Sequence, residues 1–449
     1  MTPGYKCKTF NQETMSLKKE KSISKKIRLN TFAFFRKFPA IPYLIKWLCI
    51  SLIIGALIGT ASAGFLQSLN WLTNYREANL WIIALLPLAG LSIGLLYHYY
   101  GKDVEAGNNL LIETIHEPKQ IIPFKMMPFV YIGTIATHLF GGSAGREGTA
   151  LQMAGAIADQ FSKPFKLSPE DRKTLIIAAI AAGFGSVFGT PLAGAVFGME
   201  VFLIGRLRYS SIFPAFAAAI IADIVTKLWN TPHTHYHIDL VPSISFINLG
   251  YAILAGAAFG LCAAAFSKAL RFTSSIFKIK IKYPPLRPFI GGLILVVIIY
   301  FSGTTTYIGL GIPTIVEAFN QQMPPYSFAI KMALTILTLA AGFKGGEVTP
   351  LFFIGATLGS ALSLFLPLPV ALLAGMGFVA VFAGATNTPI ACTLMALELF
   401  GSECGVYVAI ACTVSYLLSG HTGIYGKQVV GETKNSRFSN YLNRRIGDI

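Results

Sequence analysis

Charge is scarce in this chain. Only 12% of its 449 residues are Asp, Glu, Lys or Arg, while 54% are hydrophobic; soluble domains carry about a quarter charged residues. Acid is scarcer than base, with 20 Asp and Glu against 36 Lys and Arg. Metal-ligand and redox spacings are missing too. The six cysteines (Cys7, Cys49, Cys262, Cys392, Cys404 and Cys412) form no CxxC and lie mostly in apolar context, so they read as small core residues. No nucleophile or metal pair of an intramembrane enzyme is recognisable. A soluble globule, a disulfide scaffold and a cofactor-dependent enzyme are therefore set aside, and no metal or cofactor is expected.

What the chain has is apolar runs: Trp47–Leu69, Leu80–Leu96, Thr174–Leu203, Ile247–Phe266, Phe289–Ser302, Met332–Phe343, Leu351–Phe365, Val370–Phe382 and Val406–Leu418. A spanning helix needs about 20 apolar residues. Some runs reach that length and others fall short, which predicts an all-α polytopic membrane protein with partly spanning helices. Residues 1–46 form a basic leader and 431–449 a basic tail; such flanks stay in the cytoplasm and attract anionic lipid heads. No aromatic-rich basic module accompanies them, so nucleic acid is excluded as a partner. Ala61-Ser62-Ala63 looks like a signal-peptidase site, but the leader is too long and the apolar run continues past it.

The chain also repeats. Gly145–Ala156 (GREGTALQMAGA) aligns with Gly345–Ala356 (GGEVTPLFFIGA) at six of twelve positions, and Thr190–Phe202 aligns with Thr388–Phe400 at an offset of 198. Two ordered matches at nearly one offset predict two homologous halves, about 47–246 and 247–430. Internal repeats in transporters are often inverted, with the substrate site at their interface near the midplane. Each repeated block is glycine-rich and then opens an apolar helix, and a helix start offers unpaired N–H groups and about half a positive charge. Two such starts meeting in a membrane make an anion site. Glu147, itself an anion, can occupy the site it guards, and taking up a proton frees the site for the substrate. A buried Arg146–Glu147 salt bridge is the plainer reading, but ionisable groups in membranes are costly and usually functional. Glu347 repeats the argument in the second half, with a structural Lys344–Glu347 pair as the alternative.

These residues resemble a known family. GREGT at Gly145–Thr149, GGEVTP at Gly345–Pro350, the stretch Ala181–Val201 and IYGKQ from Ile424 resemble the motifs of the CLC anion channels and transporters. The resemblance implies a CLC-like inverted repeat of many tilted helices, a homodimer with one pore per subunit and no regulatory nucleotide-binding domains. It implies anion coordination by Gly145, Arg146, Gly148, Val348 and the central tyrosine, Tyr425. The departures look like the fluoride/proton antiporter branch. Asn108 (or Asn109, one residue on) stands where the family's serine does. Glu347 and Thr349 supply an acid and a hydroxyl in the second-half motif, and Val201 stands where the usual proton-relay glutamate would be. An asparagine amide adds donors for a strongly hydrated ion. Thr349 can bond the ion or the Glu147 carboxylate, or cap its helix. The expected function is fluoride export in exchange for protons across a bacterial inner membrane. A chloride/proton antiporter or gated chloride channel of the same fold is the alternative.

Other signals are discounted. His233, His235 and His237 alternate like metal ligands but lie in a stretch that reads as an exposed loop. His116-Glu117-Pro118 lacks the second histidine of a metalloprotease motif. His138 reads as a satisfied core residue, and Glu200 and Glu398 as structural acids at a cytoplasmic edge or interface.

Overall fold

Proline, glycine and asparagine cut the apolar runs into short helices. In the first half, Gly189 adopts a left-handed conformation, and Thr190-Pro191 then restarts the chain as a helix. In the second, left-handed Asn387 and Thr388-Pro389 do the same. Proline at a first helical position sacrifices no hydrogen bond, and a left-handed residue ends the preceding turn. The run predicted over Thr174–Leu203 is therefore two helices, because this break falls inside it.

The computed structural model describes residues 40–449, so most of the basic leader lies outside the described residues. The described chain holds sixteen α-helices. Those of the first half are α1 (Ala40–Ala78), α2 (Leu86–Tyr100), α3 (Asn108–His116), α4 (Met126–Leu139), α5 (Glu147–Asp159), α6 (Pro169–Phe188), α7 (Pro191–Glu200) and α8 (Ile212–Leu228). The second half repeats the order with α9 (Phe246–Lys280), α10 (Leu286–Ser302), α11 (Ile312–Asn320), α12 (Ser327–Ala341), α13 (Val348–Leu362), α14 (Val370–Thr386), α15 (Pro389–Phe400) and α16 (Gly405–Leu418). Residues 51–449 form one compact unit.

Among the described residues, four stretches are long and apolar enough to cross a membrane: Ala40–Ala78, Leu80–Tyr100, Tyr209–Leu228 and Phe246–Lys280. The helices carrying the repeated motifs are shorter and more deeply enclosed; every residue of α5 is buried, as is nearly all of α13 and α14. Large apolar side chains point outward instead, among them Phe246, Tyr300, Phe301 and Phe365. Such exposure suits hydrocarbon and would be a liability in water. This is a helical membrane protein with many short apolar helices.

Repeat mates pack on each other, α2 against α10 and α7 against α15. In the second pair the contact is reciprocal. Glu200, ending α7, accepts from the first amides of α15, Ile390 N–H at 3.2 Å and Ala391 N–H at 2.9 Å. Glu398, in α15, accepts from those of α7, Leu192 N–H at 3.0 Å and Ala193 N–H at 2.8 Å. Each acid thus caps the helix start of the other half, where orphan amides and the helix dipole favour a carboxylate. After α16 the chain returns across the first half. Strand β2 (Val429–Val430) pairs in parallel with β1 (Leu203–Ile204). Buried Gln428 donates to the carbonyls of Val201 and Thr386, each at 2.6 Å, and these contacts anchor the segment that carries Tyr425.

Candidate functional site

The two repeated motifs touch each other. Gly145 N–H donates to Gly346 C=O at 2.6 Å, and Gly346 N–H returns a bond to Gly145 C=O at 2.7 Å. The bridge is antiparallel, as a two-fold relation between inverted halves requires. Only glycine permits this approach. A Cβ on Gly346 would stand 2.7 Å from Gly148 N, and one on Gly145 would stand 2.9 Å from Gly346 O. The bridge sets the starts of α5 and α13 side by side, so both helices direct free amides and positive dipole ends to one place.

Glu147 opens α5 and is fully buried. Its carboxylate crosses to the other half. Thr349 Oγ1 lies 2.6 Å from both carboxylate oxygens, and Thr349 N–H donates at 3.1 Å. Arg146 contributes its backbone N–H at 3.2 Å and its Nε at 3.4 Å. The Arg146–Glu147 ion pair therefore exists, but it is the longest contact of the set; the carboxylate is held chiefly by the start of α13. Among the described residues, no side-chain bond caps α13, and the Thr349 hydroxyl serves Glu147 instead. Its repeat mate Thr149 pairs with Thr134 at 2.6 Å.

Behind Glu147 lies a cluster of polar atoms without protein partners. Asn108 is the first residue of α3, and its Nδ2 lies 2.9 Å from where a Cβ on Gly148 would stand. Glu347 Oε2 lies 3.7 Å from the same point. Asn108 Oδ1, Glu347 Oε2 and the Tyr425 hydroxyl are all buried without a hydrogen-bond partner. Tyr425 is 2% exposed and within electrostatic reach of both Glu347 and Glu147. Buried polar groups are normally satisfied, so three orphans around one helix start mark a place for a polar ligand. Asn109 faces elsewhere, its Oδ1 accepting from Lys427 N–H at 3.0 Å. Val348 is buried and can offer only backbone. Val201 is buried and apolar, with its carbonyl bound by Gln428.

Some of the discounted or alternative readings change. Lys344 does not pair with Glu347; its ammonium sits over the Tyr97 ring, 3.9 Å from the centroid, an attraction that needs no carboxylate. The histidine loop is only partly exposed. His233 packs against Gly189, and Tyr236 meets Phe319 at a tilt and Phe378 and Phe400 edge-on. No group of His, Cys, Asp and Glu suited to a metal occurs among the described residues. His138 is fully buried, with Nε2 3.4 Å from the Gly145 carbonyl and Nδ1 unpartnered. Glu200 and Glu398 act as the helix caps described above, a role that one-dimensional spacing does not reveal.

A cavity of about 570 Å³ opens beside the end of α1 and the start of α11, lined by Arg76, Arg146, His233 and Thr314 among others. A separate pocket of about 20 Å³ lies against Glu147 and Thr349 and shares Arg146, His233, Thr234 and Ile312 with the larger cavity. Arg146 and His233 thus stand between Glu147 and this vestibule.

Residues 89–420 match the model of the voltage gated chloride channel family. The chain is 52% identical over 403 residues to a chloride/fluoride channel protein of Pseudomonas syringae pv. tomato, a match covering 88% of this chain and 89% of the relative. It is 26% identical over 391 residues to an H(+)/Cl(-) exchange transporter of Klebsiella pneumoniae, covering 78% and 80%. Among solved structures, a CLC-type fluoride/proton antiporter superposes with a TM-score of 0.83 at 35% identity, covering 86% of this chain and 98% of that one. A slow cyanobacterial Cl-/H+ antiporter superposes with a TM-score of 0.73 at 20% identity, covering 83% and 94%, and shares the fold.

Proposed function

The chain belongs to the CLC family of voltage-gated chloride channels, and from that footing we propose that it is a secondary active antiporter that exports fluoride in exchange for protons. The observation that carries the reading is the Glu147 carboxylate seated on the start of α13 by Thr349, with Asn108, Glu347 and Tyr425 unpartnered behind it.

The cycle follows from charge. While Glu147 is ionised, it takes the amide and hydroxyl donors of Thr349 that an anion would otherwise use. A proton arriving through the vestibule neutralises it and weakens those charge-assisted bonds. The side chain then leaves, and fluoride takes its place. Asn108 and Tyr425 can donate to the ion, and the start of α5 adds free amides. Glu347 is the second acid, placed to pass the proton on while Val201 cannot. Fluoride holds water tightly, so a site rich in close donors favours it over chloride.

The relatives named for chloride/fluoride transport and for fluoride/proton antiport support this choice of ion. The subunit is read as half of a homodimer, with a bacterial inner membrane as its location and both termini in the cytoplasm. The exposure of apolar Leu192, Ile224, Ile390 and Leu417 on α7, α8, α15 and α16 is in keeping with that reading. The deciding experiment loads liposomes containing the protein with fluoride and records fluoride efflux together with external pH. Fluoride leaving with protons moving the opposite way supports antiport. Fluoride efflux without proton movement points to a channel, and equal or faster chloride flux removes the fluoride assignment.

A further inference from the structure

Two buried cations for which the antiport cycle has no task lie at the vestibule, Arg76 on its wall and Lys331 beneath it. Lys331, in α12, is wholly buried, and its ammonium donates to the carbonyls of Tyr307 at 3.1 Å and Gly309 at 2.7 Å. Arg76, near the end of α1, is 5% exposed. Its Nη1 donates to the His138 carbonyl at 2.9 Å, while its Nε has no acceptor. The one carboxylate in ion-pairing range of it among the described residues is Glu77, at 3.5 Å and 60% exposed, where solvent screens it. Buried cations without buried anions are costly.

Both cations lie under one loop, the turn Tyr307–Gly311 that leads into α11. Arg76 Nη1 is 2.7 Å from where a Cβ on Gly309 would stand, and Lys331 Nζ is 3.6 Å from that on Gly311. Gly311 is the left-handed N-cap of α11 and makes no side-chain cap. The first turn of α11 lines the large cavity together with Arg76 and Arg146. α11 is also the repeat mate of α3: both are nine-residue helices that begin after a glycine of positive φ. One of these helix starts serves the central site, and its mate faces the vestibule.

We propose that the vestibule contains a second anion site at the start of α11, which holds a small monovalent halide before it passes the constriction at Glu147. The Ile312 and Thr314 amides of the first turn (Pro313 has none) and the Arg76 guanidinium contact the ion, and Lys331 supplies positive charge from below the loop. Exposed Glu77 and Glu317 rim the same cavity and disfavour multivalent anions. The proposal depends on the antiport reading only for the identity of the ion.

The test is calorimetric titration of the purified wild type, Arg76→Gln and Thr314→Asp with sodium fluoride and with sodium chloride. Thr314 is the third residue of α11 and lines the cavity. Aspartate is welcome in a first helical turn, so Thr314→Asp tethers a competing carboxylate without breaking the helix. The wild type is expected to bind one anion in the vestibule, besides any that displaces the Glu147 carboxylate from the central site. Each variant is expected to lose the vestibule anion, with at least tenfold weaker outer binding, while keeping the wild-type proton-to-fluoride ratio in liposomes. Wild-type stoichiometry and affinity in a monodisperse Thr314→Asp overturns the site, even if Arg76→Gln fails to fold. Absence of proton-coupled fluoride flux in the wild type would instead remove the antiport reading, and the titrations would still decide the vestibule site.

Discussion

Thr349 Oγ1 lies 2.6 Å from both carboxylate oxygens of Glu147, across 202 residues of sequence. This contact ties the acid of one half to the helix start of the other. In the proposed cycle, it makes gating a contest between a tethered carboxylate and a free anion for the same donors.

Removing the charge should decouple the gate. Glu147→Gln keeps the shape and some hydrogen bonding but cannot carry a proton. Proton movement against a fluoride gradient is expected to fall at least tenfold, with fluoride leak retained. Paired fluoride and pH recordings on liposomes check this, and preserved coupling would assign the proton to another acid.

Removing the donor should slow exchange. A hydrogen bond to a charged group contributes about 1.5–3 kcal/mol. Thr349→Val is therefore expected to lower exchange rates by roughly ten- to a hundredfold, and Thr349→Ser to restore most of the loss. Initial fluoride efflux rates measure it. A valine variant with wild-type rates would make the contact incidental.

The neighbouring asparagines should separate. Asn108→Ser alters the donors beside Gly148 and is expected to reduce the fluoride-to-chloride rate ratio about tenfold. Asn109→Ala loses only its bond to the Lys427 amide, so the ratio is expected to hold. A ratio that follows Asn109 would reverse the assignment.

The paired caps concern stability. Glu200→Ala and Glu398→Ala each strip two amide bonds from a helix start, which costs about 1–2 kcal/mol. Thermal unfolding of detergent-purified protein should show comparable decreases for both, with the proton-to-fluoride ratio unchanged. A changed ratio in Glu200→Ala would give that acid a part in proton transfer.

Much of the site is legible in one dimension because the repeat is. Matching Gly145–Ala156 to Gly345–Ala356 singles out Glu147, Glu347 and Thr349 without coordinates. Other features leave no such mark. Lys344 and Glu347 are close in sequence, yet the ammonium goes to Tyr97, because a ring face serves a cation in a dry interior. Arg76 and Lys331 look like ordinary scattered charges until the loop before α11 brings them together.

The sequence by itself determined the medium, the two-fold repeat and the helix breaks at the two glycine-rich motifs, since hydropathy, motif spacing and glycine punctuation are local properties, whereas the break at Gly189–Pro191 became plain only in the fold. Tertiary structure alone decided which donors meet which acid. Thr349 serves Glu147 rather than its own helix, Asn108 rather than Asn109 faces Gly148, and each of Glu200 and Glu398 caps the other half. The reason is physical: buried polar atoms must find partners wherever the fold supplies them, and in an inverted repeat the nearest partner lies about 200 residues away.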